Sequence, residues 1–319
     1  MAKRVRLCPE ITDPELRGFL DMVPSVRKYM RGIIDDSLLK GEKTSITLKE
    51  RELTVYIHRA EGKNRPVVFE MHGGGFILGD AEKDDSICES IKENADVNVV
   101  GINYRLSPEF PYPAPLDDVY DTILFFKKHA AEYGFDMEKI GLIGFSAGAT
   151  LAAAISLRSK KSGDFNVTAQ ALHYPYLDST RMPSEKKHYD VDMDAAVMKS
   201  FTELYSKKEE RALSYVSPIM AKREELEGTA ATLILTADRD ALKDEGLEYG
   251  EHLRAAGVDT YAAAIPGTHH GYIEDAAHEP SYEVSDMNKR KLHDPYFRVW
   301  AKTALEISAD FFTRRFEKE

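Results

Sequence analysis

Cysteine is scarce in this chain: 319 residues hold two, Cys8 and Cys88. A disulfide framework therefore cannot be what holds it together, and free thiols in a reducing, cytoplasmic setting are expected. Long hydrophobic runs are also missing. The longest, such as Ala231–Ala237, are far shorter than the roughly 20 residues needed to cross a bilayer. The N-terminus, MAKRVRLCPE, starts basic like a signal peptide, but Pro9, Glu10 and Asp13 stand where an apolar stretch belongs. Basic charge is in deficit, with 43 Lys and Arg against 54 Asp and Glu and a net charge of −11. That balance argues against nucleic acid as a partner and against docking on an anionic membrane. What the chain does have is length and a hydrophobic fraction of 43%. This is ample for a thick core in one large domain or two modest ones.

The hydrophobic period switches repeatedly. Ser45–Lys49 and Glu52–His58 alternate, which predicts an antiparallel hairpin turning at Glu50–Arg51. Continuous apolar runs follow at Pro66–Met71, Val97–Asn103, Lys139–Phe145, Val167–Leu172, Ala231–Ala237 and Thr260–Ile265. Strands buried on both faces of a parallel sheet read this way. Helical spacing fills the gaps at Asp84–Asn94, Leu116–Tyr133, Ala149–Ser159, Glu245–Ala256 and Pro295–Phe316. The expectation is an α/β fold of about eight strands, mostly parallel, with helices on both faces. Ile11–Gly41, read as helical, and Tyr174–Gly228, with a helix at Met193–Ser206, fall outside the alternation. They are expected to cap one end of the sheet, over approximately residues 1–43 and 174–228. A polar stretch, approximately 276–294, reads as an insert. Ser107–Pro115, with four prolines, reads as a stiff loop entering a helix rather than as a polyproline ligand.

The chemistry gathers at four places. Gly144-Phe145-Ser146-Ala147-Gly148 joins an apolar strand to an alanine-rich helix. This G-x-S-x-G turn is sharp enough to strain the serine backbone, and its glycines are needed because side chains there would collide. Ser146 is thereby presented as a nucleophile at the C-terminal edge of the sheet. A serine hydroxyl needs a base, and His269 and His270 follow the last strand. The imidazole needs a carboxylate, and Asp238, Asp240 and Asp244 follow the strand before it. Met71-His72-Gly73-Gly74-Gly75-Phe76 can aim the backbone N–H groups of Gly73, Gly74 and Gly75 at one spot, and the N–H of Ala147 completes an oxyanion hole. A phosphate loop is disfavoured, because no Lys-Ser/Thr follows the glycines. A metal site among His269, His270, Glu274, Asp275, His278 and Glu279 is disfavoured for want of a ligand motif. His188 reads as part of a solvated face.

Together these motifs resemble the hormone-sensitive-lipase-like family of α/β-hydrolases, the bacterial carboxylesterases. His72–Phe76 looks like the family's oxyanion motif. Tyr104-Arg105-Leu106-Ser107-Pro108-Glu109 with Pro111, Pro113 and Leu116-Asp117-Asp118 resembles its YRLAPE segment, and Val216-Ser217-Pro218 resembles the re-entry from its cap. The resemblance selects Asp240, in Asp240-Ala241-Leu242-Lys243-Asp244-Glu245-Gly246, over Asp238. It selects His270, which precedes Gly271 and Tyr272, over His269, which is left as a loop residue. Asp244 and Glu245 then read as first-turn acids of a helix. It implies an α/β-hydrolase fold with a helical cap, and a serine carboxylesterase acting on short to medium acyl chains without cofactor or metal. The sequence departs from the pattern at Phe145 and Ala149, where the family has a polar residue and glycine, and in the insert. A shared triad leaves open an amidase or deacetylase, and the fold leaves open a non-catalytic receptor. Because Ser146, Asp240 and His270 must converge, the sheet is expected to be one domain. The partner expected is a small ester, and a homodimer is left open.

Overall fold

In the computed structural model, residues 12–189, 193–277 and 296–317 are described. Cys8, His278, Glu279 and nearly all of the polar insert lie outside them, and Ala276 and Ala277 end a short helix, α9 (Tyr272–Ala277). Eight strands form one sheet: β1 (Glu42–Leu48), β2 (Arg51–His58), β3 (Arg65–Met71), β4 (Asn98–Ile102), β5 (Phe135–Phe145), β6 (Val167–His173), β7 (Ala231–Arg239) and β8 (Thr260–His269). Their order across the sheet is β1-β2-β4-β3-β5-β6-β7-β8. β1 and β2 pair antiparallel, β2 meets β4 antiparallel, and every later neighbour is parallel. The hairpin turns one residue earlier than expected. Lys49 takes a positive φ of 48°, so Arg51 opens β2 directly opposite Leu48.

The apolar runs are continuous because both faces of the central strands are covered. Val67, Phe69 and Met71 of β3 face one core with α3 (Ala114–Lys128), α5 (Ala147–Ser162) and α8 (Lys243–Ala255). Val68 faces the other, with α2 (Asp85–Ala95) and α10 (Phe297–Phe316). Period-two alternation is present in the strands but hidden, since both faces need apolar side chains. The predicted helix Leu116–Tyr133 is broken. α3 stops at His129, and a separate turn, α4 (Ala130–Tyr133), ends at Gly134 with φ 72°.

The two segments outside the alternation meet over the loop that follows β3. Helix α1 (Pro14–Gly32) is shorter than the predicted helical stretch. It starts where Asp13 accepts the N–H groups of Glu15 and Leu16, ahead of Pro14 at its first position. Helix α6 (Ala195–Tyr205) is capped by Asp194 in the same way. Leu16 and Val23 of α1 and Phe201 and Leu204 of α6 close on Ile77 to make a third, small core. Lys199 of α6 reaches Asp13 at 2.8 Å, and the Phe19 ring stands edge-on to Phe201 at 5.5 Å. A further short helix, α7 (Arg223–Leu226), lies before β7.

Candidate active site

Strand β5 ends at Phe145 and α5 begins at Ala147, so Ser146 alone makes the turn. Its φ of 52° and ψ of −115° lie where a non-glycine residue is strained. Three features hold it there. Its N–H donates to the His173 carbonyl, its carbonyl accepts from Ala149, and the flanking glycines admit close backbone. A Cβ at Gly148 would collide with the Met71 carbonyl, and one at Gly144 with the Gly148 carbonyl. Phe145, the unusual residue beside the nucleophile, points away from the site. Its ring is buried and stacks on His173 at 5.0 Å. Ala149 is likewise fully buried in α5.

Asp240 and His270 come from adjacent strands. Arg239 pairs with His269 at the end of the β7–β8 ladder, so the next residue on each strand emerges side by side. His270 Nε2 lies 2.9 Å from Ser146 Oγ, and its Nδ1 lies 2.8 Å from Asp240 Oδ2. A carboxylate only accepts, so Nδ1 carries the proton and Nε2 is left to accept from the serine hydroxyl. Asp240 Oδ1 accepts the Leu242 N–H at 2.9 Å, which fixes the carboxylate. All three side chains are nearly buried: Ser146 is 9%, His270 8% and Asp240 3% exposed. The other candidates are placed elsewhere. Asp238 pairs with Lys243 at 3.2 Å. His269, expected on a loop, is the last residue of β8, buried and 2.9 Å from Asp275. Glu245 is in the first turn of α8, as expected of a dipole-stabilised acid, but it is buried against Lys186 at 2.5 Å rather than solvated. Among the described residues no group of three His, Cys, Asp or Glu is arranged to hold a metal.

The glycine loop folds back on itself. Gly74, Gly75 and Phe76 all take positive φ, and the Ile77 and Leu78 N–H groups both return to the Gly74 carbonyl. Gly74 and Gly75 carry no side chain because none fits. A Cβ would strike the Leu78 carbonyl from Gly74, or the Phe201 ring from Gly75. Ala147, first in α5, has an N–H with no intrahelical acceptor. His72 is the loop's internal strut: its Nδ1 donates to the Gly73 carbonyl at 2.7 Å and its ring stacks on Tyr104 at 4.2 Å. The Tyr104 hydroxyl donates to the His72 carbonyl at 2.7 Å. Burial lowers His72 to about 4, so the ring is neutral near pH 7. The next residue, Arg105, forks onto buried Asp118, which also takes Arg51 at 2.6 Å. The YRLSPE and LDD segments thus brace the glycine loop and α3.

Sequence reasoning missed an acidic cluster behind this loop. Glu70 and Asp84 are both fully buried and face one another, the protonated Glu70 carboxyl donating to Asp84. Burial, with Asp84 alongside, holds Glu70 well above the usual carboxylate range. Burial, then the charge of Glu274, pushes Asp84 up to about 7. Glu274 accepts the Tyr174 hydroxyl, and its Oε1 would lie 2.9 Å from a Cβ at Gly73. The signal was present as Glu70, a charge inside the apolar run PVVFEM. Above Ser146 and His270 opens a narrow cleft walled by Phe76, Tyr176, Met193, Met198, Phe201 and Leu242. A nucleophile activated by a base, beside a nest of N–H donors and under an apolar wall, suits acyl transfer.

The family model for the alpha/beta hydrolase fold matches residues 68–274. Carboxylesterase NlhH of Mycobacterium tuberculosis is 31% identical, over 87% of this chain and 83% of its own. An arylesterase of Saccharolobus solfataricus is 30% identical, over 82% of this chain and 92% of its own. A hyperthermophilic esterase from Pyrobaculum calidifontis superposes with a TM-score of 0.74 at 26% identity, covering 93% of each chain. With fold, motif order and relatives agreeing, the chain belongs to the α/β-hydrolase fold family, in its hormone-sensitive-lipase-like carboxylesterase branch.

Proposed function

We propose that the chain is a serine carboxylesterase using Ser146, His270 and Asp240 on short- to medium-chain acyl esters. The observation that carries this reading is the unbroken relay of 2.9 Å from Ser146 Oγ to His270 Nε2 and 2.8 Å from His270 Nδ1 to Asp240. Ser146 Oγ attacks the ester carbonyl as His270 Nε2 takes its proton. The carbonyl oxygen becomes an oxyanion facing the N–H groups of Gly74, Gly75 and Ala147, with Gly73 at the rim. His270 then gives the proton to the leaving alcohol, and an acyl-serine remains. Water enters, loses a proton to His270 and attacks the acyl carbon, and the acid leaves as Ser146 regains its proton. Asp240 holds the tautomer and stabilises the imidazolium throughout. The apolar wall of Phe76, Met198, Phe201 and Leu242 supports an aliphatic acyl group of modest length. A cytoplasmic setting belongs to the same proposal, supported by Cys88 standing as a buried free thiol.

The test is a panel of p-nitrophenyl esters from C2 to C12 with matched anilides. Wild type should prefer the shorter esters over C12 and over anilides. Ser146→Ala should lose about 10⁶-fold in kcat, and Asp240→Asn about 10⁴-fold. Asp238→Asn should stay within about threefold of wild type. Equal activity in wild type and Ser146→Ala would overturn the mechanism.

A further inference from the structure

Arg27 projects from α1 toward the glycine loop, on the same face as Leu16, Leu20 and Val23, which pack into the small core over that loop. Its Nε donates to the Ile77 carbonyl at 2.8 Å, and its Nη2 donates to the Ser107 carbonyl. Its Nη1 meets Glu109 at 2.9 Å. The guanidinium thus ties together three segments distant in sequence: α1, the oxyanion loop and the SPE segment. Ile77 is no ordinary anchor point. Its N–H closes the turn onto the Gly74 carbonyl, so a force on the Ile77 peptide is felt at the peptide that carries a donor. The Ser107 N–H in turn donates to the Phe76 carbonyl at 2.8 Å, so both outer carbonyls of the loop are held. From the other side, Phe201 lies on Gly75 and is itself wedged by Phe19 of α1.

We infer that Arg27 is a positioning residue for the oxyanion hole, and that α1 is the brace that keeps the Gly74 and Gly75 donors aimed at the developing charge. The inference rests on the esterase reading. It follows from geometry that a run of positive-φ glycines cannot hold itself: glycine is the residue with most freedom to lose. An oxyanion hole works only if its donors are fixed before the charge appears. A planar fork that takes two carbonyls at once supplies that rigidity, and a lysine cannot reproduce it. Because the ground-state ester leans on the donors less than the tetrahedral intermediate does, loosening the loop should fall on kcat and spare KM.

The experiment measures kcat and KM on p-nitrophenyl butyrate for wild type, Arg27→Met, Arg27→Lys, Arg27→Gly and Glu109→Gln. Circular dichroism and labelling by an organophosphonate follow each variant. Arg27→Met should lose about tenfold to thirtyfold in kcat, less than the 10²–10³ of deleting a donor outright, with KM changed less than threefold. Arg27→Lys should recover part of the loss, and Glu109→Gln, which keeps both carbonyl bonds, should stay within twofold. Millimolar guanidinium should raise kcat of Arg27→Gly and leave wild type unchanged. A folded Arg27→Met with wild-type kcat, or one whose whole loss lies in KM, overturns the inference while the esterase reading stands. If Arg27→Met does not fold, Arg27→Lys decides: wild-type kcat there overturns it. A wild-type protein inert to every ester and unlabelled at Ser146 would remove the esterase reading, and this inference with it.

Discussion

At the scale of single residues, the site is a set of conformations that only particular side chains tolerate. Ser146 is held at φ 52° because Gly144 and Gly148 let three backbones touch. These requirements are visible in the sequence, since G-x-S-x-G at a strand-to-helix boundary states them locally. The choice among Asp238, Asp240 and Asp244, or between His269 and His270, is not a local matter. It depends on which residue follows the last rung of the β7–β8 ladder, and pairing registers between distant strands are not written in either strand alone. The acidic cluster is the other residue-scale feature. Asp84 moves from an ordinary 3.8 to about 7 in the folded chain. An acid raised on folding favours the native state at low pH, and that advantage drains away as pH rises from about 4 through about 7. Asp84→Asn removes the titration. Relative to wild type, the variant should therefore gain stability between pH 5 and pH 8, by a few kcal/mol at about 1.4 kcal/mol per pH unit. Urea unfolding at the two pH values reads this directly, and a difference that does not change with pH would contradict the assignment.

At the scale of elements, the strands and the helices α1 and α6 were legible, but what those two helices pack against was not. β3 to β7 announce themselves as apolar runs because both faces are covered. Helices α1 and α6 bury a few side chains against each other and the loop beneath, so their partners cannot be read from periodicity. Lys186 and Glu245 show the same limit. They look like solvated charges in the sequence, yet both are buried and meet at 2.5 Å, fastening the segment after β6 to α8. Burial pushes Glu245 up to about 7 even with Lys186 against it. Lys186→Met should destabilise the protein by about 3–5 kcal/mol, because it strands a buried carboxylate. The double variant Lys186→Met, Glu245→Gln should recover much of that, as chemical denaturation will show. Phe201 belongs to this scale too, since α6 carries it into the cleft wall and onto Gly75. Phe201→Leu should shift the kcat/KM ratio of C8 to C2 esters toward C8 by about threefold to tenfold, in line with one or two methylenes of apolar contact. An unchanged ratio would place chain-length selection elsewhere.

At the scale of the whole molecule, the excess of acid reads differently from its first appearance. Not all of it faces water: Glu70, Asp84, Asp118, Asp240, Glu245 and Glu274 are buried. Some of these carry chemistry, some anchor loops, and some cost stability above neutral pH. The sheet order has a consequence of its own. Ser146 follows β5 and Asp240 follows β7, each flanked on both sides by strands, whereas His270 hangs from β8, the last strand of the described sheet. β8 is also more exposed than β7. Partial opening runs at lower free energy where fewer neighbours must be released. On warming, His270 should therefore fray away while Ser146 and Asp240 still sit in intact structure. Esterase activity should fall several degrees below the midpoint of the far-ultraviolet melt, and return on rapid cooling from that window. Coincident midpoints would show that the sheet opens as one unit. The enzyme would thus carry a thermal fuse at the rim of its sheet, switching off before the molecule comes apart.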